Sequence, residues 1–278
     1  MTVRTMLIAL ATSPRFERAV AALPGARARA WRSARRYVAG AAADDALRVA
    51  GALADRGLRA SIDLFGEGVT DPAVATTVAA AYVRLAATLP PGAWLSIDLS
   101  HIAFDPVLLA RVAAALPPGA RVQVGAEEPA VTDRVLDAVV DSGGGRADAT
   151  LQANLRRSPR DARRLAGAGV PVRLVKGAYA APASEAHEWG PATDAAFAEL
   201  ALGLRDAGGT VRLATHDDAL LERLLPALPE ADCEVLLGVR PELATSLVAA
   251  GRRVRVYVPY GPDWFRYFMR RRAESRGA

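Results

Sequence analysis

The chain has 278 residues, 51% of them apolar, which suits one large core such as a single α/β barrel. No apolar run approaches the roughly 20 residues that cross a bilayer, and the opening MLIALA is too short and too poorly flanked for a signal peptide. A net charge of +5 and a pI near 9.8 invite a nucleic-acid partner, but 30 acidic residues are mixed among 35 basic ones and no zinc-ligand spacing or aromatic-basic stripe accompanies them, which argues against one.

Residues 1–57 precede the first strand-like run and read as a helical arm. Within it ARARAWRSARRYV (26–38) is basic with two aromatics. Such a helix either lies on an anionic membrane surface or packs Trp31 and Tyr37 on the rest of the fold. From residue 58 onward, β-rich runs bounded by Gly and Pro recur: RASIDLF (59–65), WLSIDLS (94–100), RVQVGA (121–126), DATLQAN (148–154), VRLVKG (172–177), TVRLATH (210–216), CEVLLGV (233–239) and RVRVYVPY (253–260). Helical patterns lie between them, as in PAVATTVAAAYVRLAATL (72–89) and DAAFAELALGLRDAG (194–208). Strands alternating with helices predict parallel strands joined by right-handed crossovers, and eight strands close a (β/α)8 TIM-like barrel over residues 58–278. The runs read as mostly apolar, as expected of strands covered by helices. An open doubly wound sheet is the alternative, disfavoured because no G-x-G-x-x-G follows a strand.

Chemistry in such barrels gathers at the C-terminal ends of the strands. Glu67 follows the first strand; Asp98, Ser100 and His101 end the second; Glu127 and Glu128 follow the third. Gln152 and Asn154 end the fourth, Arg173 and Lys176 lie on the fifth, Thr215 and His216 end the sixth, and Tyr257 ends the eighth. Two compositional facts stand beside this convergence. Cys233 is the lone cysteine, so the chain forms no internal disulfide, and a reducing, cytoplasmic setting is expected. Lys176 is the lone lysine against 34 arginines, which marks it for work that arginine cannot do. A barrel-mouth lysine of this kind could also form a Schiff base, as in aldolase-type lyases. On the last helix, Arg270 and Arg271 can present planar forks to a carboxylate, with Glu274 one turn on to hold them.

RLVKGAYA (173–180) resembles the R-L-V-K-G-A-Y-W signature of the proline dehydrogenase family, and YVPYGPDWFRYFMRRRAE (257–274) resembles its closing Y-x-P-x-G…Y-x-x-R-R-x-x-E motif. SIDLFGEGVT (61–70), ATLQAN (149–154), ATHD (214–217) and RYVAG (36–40) resemble further family elements in the same order. The resemblance implies a distorted (β/α)8 barrel that holds FAD without a covalent bond. It implies that Arg173 lies near the reactive flavin nitrogen, that Gln152 contacts the ring system, and that Lys176, Gly177, Thr215, His216 and Glu274 serve the cofactor. It further implies that Arg270 and Arg271 clamp the substrate carboxylate and that Tyr257 packs on the substrate ring. Tyr179 and Asp98 would be further substrate contacts, and Glu67 would pair with the arginines as a gate. The implied reaction oxidises L-proline to Δ1-pyrroline-5-carboxylate, with electrons passed to a quinone and peripheral membrane contact.

Two positions depart from the family's pattern. Asp98 stands where the family has lysine in a K-L-S context, and Gly125 stands where it has the Asp of D-A-E-E. Losing a cationic contact to a carboxylate costs about 1.5–3 kcal/mol of binding, so a weaker grip on proline, another cyclic amino or imino acid, or a degenerate FAD-binding paralogue are the alternatives. Ala180 replaces the signature tryptophan and Asp217 the asparagine after the histidine.

Overall fold

The computed structural model describes residues 25–142, 145–179 and 181–274, with the backbone alone at 142, 270 and 272–274. The expectations placed on MLIALA and Ala180, and on the side chains of Arg270 and Glu274, lie outside the described residues.

Two helices come first, α1 (Ala26–Ala34) and α2 (Ala43–Ala54). Strands and helices then alternate: β1 (Arg59–Leu64), α3 (Pro72–Ala86), β2 (Trp94–Ile97), α4 (Pro106–Ala114), β3 (Val122–Val124), α5 (Thr132–Ser142), β4 (Ala147–Gln152), α6 (Ser158–Gly167), β5 (Val172–Val175), α7 (Pro191–Asp206), β6 (Val211–Ala214), α8 (Asp218–Leu224), β7 (Asp232–Leu236), α9 (Pro241–Ala249), β8 (Val254–Tyr260) and α10 (Trp264–Glu274). Each strand pairs in parallel with the next, and β8 returns to β1 over six residue pairs from Arg59↔Arg255 to Leu64↔Tyr260. Closure removes the open-sheet alternative.

Local chemistry starts the helices. Asp71 and Asp105 each accept hydrogen bonds from freed amides at a helix start, with proline at the first helical position where no amide hydrogen is needed. On α3, Ala75, Ala79, Tyr82, Leu85 and Ala86 fall on one buried face at helical spacing.

The strands are not uniformly apolar, and here the structure corrects the sequence reading. Ile62, Leu95, Ile97, Val122, Val124, Leu174, Leu213 and Val256 are buried with the helices in the main core. The alternate residues are polar and meet across the barrel. Gln123 of β3 donates to Glu234 of β7 at 2.5 Å. Arg212 of β6 pairs with Asp148 of β4 at 2.8 Å, and Arg255 and Arg212 lie over the Trp94 ring at 3.4 and 4.7 Å. A barrel interior can hold charge only when it is paired and hydrogen-bonded, and this ion network is its filling.

A smaller cluster lies apart from the main core. Ala34 and Val38 pack with Trp264, Phe265 and Phe268, and the Trp31 and Trp264 rings are 4.9 Å apart. The basic arm helix therefore docks on α10, while Arg29, Arg32 and Arg35 stay exposed on its other side.

Candidate active site

Toward the C-terminal ends of the strands the interior becomes a second polar constellation, centred on Asp63 of β1. Its carboxylate accepts from the Tyr257 hydroxyl at 2.5 Å and from the Tyr82 hydroxyl at 3.1 Å. Burial pushes the Asp63 carboxyl up to about 6, against the pull of the two tyrosines and of Arg173. Asp98, the residue after β2, is driven well above the usual carboxylate range by burial and by the neighbouring charges of Asp63 and Glu127. Arg173 donates through Nε to Thr150 Oγ1 at 2.9 Å. Its charge acts on Asp63 of β1, on Asp98 after β2 and on Glu234 of β7. A cation felt by acids on three different strands reaches toward the barrel axis.

Neither Asp63 nor Tyr82 stands out as a site residue in the sequence. The signal for Asp63 is an acid at an alternate position of SIDLF; Tyr82 sits on a helix and gives none. Tyr257 lies in mid-strand rather than at the end of β8, because pairing continues to Tyr260.

Around the mouth, other predicted residues take defined places. Gln152 Nε2 donates to the Glu127 carbonyl at 3.1 Å, and its Oε1 accepts from the Ala178 amide at 3.2 Å, so it bridges the loops after β3 and β5. Gly177 has φ of +118°, and a Cβ there would lie 2.0 Å from Asn154 Oδ1. That oxygen is buried without a hydrogen-bond partner. Thr215 Oγ1 accepts from the Asp217 amide at 3.1 Å. His216 Nε2 accepts from the Leu236 amide at 3.0 Å, and burial together with the Arg271 charge lowers it to about 4, so it is neutral. His101 is a packing residue: it is buried, edge-on to Tyr82 at 6.3 Å, and burial lowers its basicity. Tyr179 lines a cleft of about 420 Å3 with Glu128, Pro129, Pro182 and Glu185.

Lys176 is held between two acids, Asp194 at 2.6 Å and Asp217 at 2.7 Å. Burial would lower it, but these partners outweigh burial and raise it above its ordinary value. Asp217 also caps α8 through the Leu220 amide at 3.1 Å. A lysine held this firmly as ammonium is a poor nucleophile, so the geometry speaks against a Schiff-base lyase. The same residues tie β5 to α7 and α8, work that needs a compact cation with several donors.

Helix α10 covers the mouth. Tyr267 packs against Phe65 at 5.2 Å and Tyr257 at 6.1 Å, Arg271 lies over the Tyr267 ring at 5.1 Å, and its charge reaches His216. Glu67 pairs with Arg266 at 3.2 Å, one turn ahead of the Arg270 and Arg271 pair expected from sequence. The arginine helix thus turns inward over Asp63, Tyr257 and Arg173 and is tied to the loop after β1.

The sequence matches the proline dehydrogenase family over residues 46–278. The chain belongs to the proline dehydrogenase family. It is 30% identical to the proline dehydrogenase of Deinococcus radiodurans over 276 residues, 90% of this chain and 88% of that protein. It is 32% identical to proline dehydrogenase 1 of Bacillus subtilis, over 87% of this chain and 86% of that one. The fold resembles that of proline utilization A from Bdellovibrio bacteriovorus, in a crystal structure of that protein inactivated by N-propargylglycine (TM-score 0.77, 19% identity, 96% of this chain and 36% of the other). The chain spans about a third of the length of these larger proteins. The barrel expected from the resemblance is therefore the family's fold.

Proposed function

We propose that the protein is an FAD-dependent dehydrogenase that oxidises L-proline to Δ1-pyrroline-5-carboxylate. The observation that carries this reading is α10 laid across the barrel mouth, with the Arg271 charge directed at His216 and Tyr267 packed on Tyr257 above Asp63 and Arg173.

The residues at the mouth fit a flavin. The unpartnered, buried Asn154 Oδ1 and the bare Gly177 backbone form an edge that any Cβ at 177 would fill. The Arg173 guanidinium has no carboxylate of the described residues within ion-pair distance, its Nε being taken by Thr150. Arg173, Gln152 and Gly177 would hold the ring system, and Thr215 and His216 the remainder. FAD, when bound, supplies the acceptor for the hydride that leaves C5 of the substrate. The chain's own residues do the rest. Arg271, with Arg270, binds the carboxylate as a fork. Tyr257, fixed by its hydrogen bond to Asp63, presents a ring face to the pyrrolidine. The Glu67–Arg266 pair holds the helix closed over the site and excludes water. The substrate amine must be neutral for its lone pair to assist, so turnover rises with pH. Electrons pass on to a quinone, with exposed Arg29, Arg32 and Arg35 giving an electrostatic contact to an anionic membrane surface on the cytoplasmic side. No helix of the described residues is long and apolar enough to cross a membrane.

The test is the visible spectrum of the purified protein, anaerobically, before and after L-proline. Bleaching of the flavin band is expected. A protein that binds no flavin refutes the reading, and a flavin bleached by another cyclic amine but not by L-proline reassigns the substrate.

A further inference from the structure

Arg240, which precedes α9, is one of three non-glycine residues with positive φ among the described residues, at φ +44° and ψ +57°. That left-handed backbone suits glycine far better than a residue with a β-carbon, and it persists where the surroundings hold it in place. The side chain shows what holds it. Nη1 donates to the His216 carbonyl at 2.8 Å, Nη2 to Asp218 at 2.7 Å, and Nε to Glu242 at 3.4 Å. The loop after β7 is thereby fastened to the loop after β6. The fastening falls where the β6–β7 ladder stops, for residue pairing ends at Ala214↔Glu234. The β7 amides of Cys233 and Leu237 go to β8, at 2.9 and 3.1 Å, so the Leu236 amide between them turns to β6. There it meets the His216 ring instead of a carbonyl and donates to Nε2 at 3.0 Å. The His216 carbonyl is taken by Arg240 rather than by a strand amide.

These contacts fix the proton of His216. An amide N–H aimed at Nε2 requires a lone pair there, and a neutral imidazole carries a single N–H, which therefore sits on Nδ1. Burial and the charges of Arg271 and Arg240 act in the same sense, holding the ring neutral. Nδ1 has no hydrogen-bond partner among the described residues. We propose that Arg240 is a positioning residue for His216: by holding the His216 carbonyl it keeps Nε2 on the Leu236 amide and presents Nδ1–H as a fixed donor to an acceptor oxygen of the bound cofactor. A ring free to turn over would offer a lone pair as readily as a proton, and the clamp selects the donor. This deepens the flavoenzyme reading and rests on it only for what the Nδ1 proton meets. The clamp and the tautomer belong to the protein alone.

The experiment reads the ring directly, by NMR of flavin-free protein carrying nitrogen-labelled histidine. The chain has three histidines, and His216→Gln identifies the His216 signals by their loss. Nitrogen shifts distinguish the two tautomers, and wild type should show the Nδ1–H form alone. Arg240→Gly suits the left-handed backbone but removes the clamp, and Asp218→Asn loosens the guanidinium. Both should show a mixture of tautomers with a thermal midpoint close to that of wild type. Flavin affinity, read by fluorescence quenching, should fall about tenfold in Arg240→Gly, the scale of one hydrogen bond. Arg240→Lys keeps a donor for the carbonyl and should recover part of that loss. An Nε2–H ring in wild type overturns the proposal, and so does Arg240→Gly with either its tautomer or its flavin affinity unchanged. If Arg240→Gly does not fold, Asp218→Asn is judged by the same two readings. A protein that binds no flavin removes the flavoenzyme reading and leaves the tautomer shifts to decide the clamp, so the two failures are separable.

Discussion

Replacing Asp63 by asparagine should stabilise the protein while impairing it. The Asp63 carboxyl is buried, and its value of about 6 stands against 3.8 for an ordinary aspartate. At about 1.4 kcal/mol per pH unit, a difference of roughly 2 pH units makes the ionised group cost about 3 kcal/mol relative to the unfolded chain. The sign follows directly. A carboxyl raised in the folded state favours folding most below pH 4, and that contribution is lost as pH rises through about 6. Asparagine fits the vacated hydrogen bonds: its oxygen can accept from Tyr257, and its amide can face Tyr82, whose single proton then goes to the Leu64 carbonyl at 3.2 Å. Asp63→Asn should therefore match wild type near pH 4 and exceed it by up to about 3 kcal/mol at pH 8, a rise of roughly 5–10 °C in Tm. Proline turnover should fall, because Tyr257 and Arg173 lose the charge that orients them. Thermal melts at pH 4, 6 and 8 check this. A variant less stable than wild type at pH 8, or a gain that does not vary with pH, refutes the argument.

Two further changes test the helix over the mouth. Arg271→Met should raise KM for L-proline about 10- to 100-fold, matching the 1.5–3 kcal/mol of a charge-assisted contact, with a smaller effect on kcat in steady-state assays. Trp31→Ala removes the half-buried ring packed at a tilt against Trp264. It should cost about 2 kcal/mol of stability and also raise KM by loosening α10, whereas a lowered Tm with unchanged KM would leave the arm without influence on the site.

Strand number, order and parallel closure were legible because each run starts shortly after a Gly or Pro and a helix-length segment separates it from the next. The polar filling was not. RASIDLF, VRLV and DATLQ alternate, but on strands this short the outward-facing Ile, Val and Leu dominate the eye, and cross-barrel pairings such as Arg212 with Asp148 and Gln123 with Glu234 reveal where the other half points. Lys176 stands out in the sequence by its uniqueness, its place on the fifth strand and the RLVKGAYA run; its clamps Asp194 and Asp217 lie at two later helix starts, and no local motif joins them. Tyr82 illustrates the same limit: its hydroxyl meets Asp63 only because α3 folds back on β1.

The same geometry bears on the exchange of a lysine for an acid at position 98. Taken from sequence alone, it should add a repulsive charge beside a carboxylate substrate as well as remove an attractive one. Two carboxyl groups coupled in a dry site do not both ionise. Asp63 is held by two tyrosine hydroxyls that favour its ionised form, whereas burial and its acidic neighbours drive Asp98 well above the usual range. The pair therefore carries about one negative charge, and the cation it feels is Arg173. Arg271 acts on the other side of the mouth, on His216. On the function proposed above, a substrate carboxylate would lose the attraction of a lysine but meet no added anion from Asp98, which would leave the arginine helix to hold it.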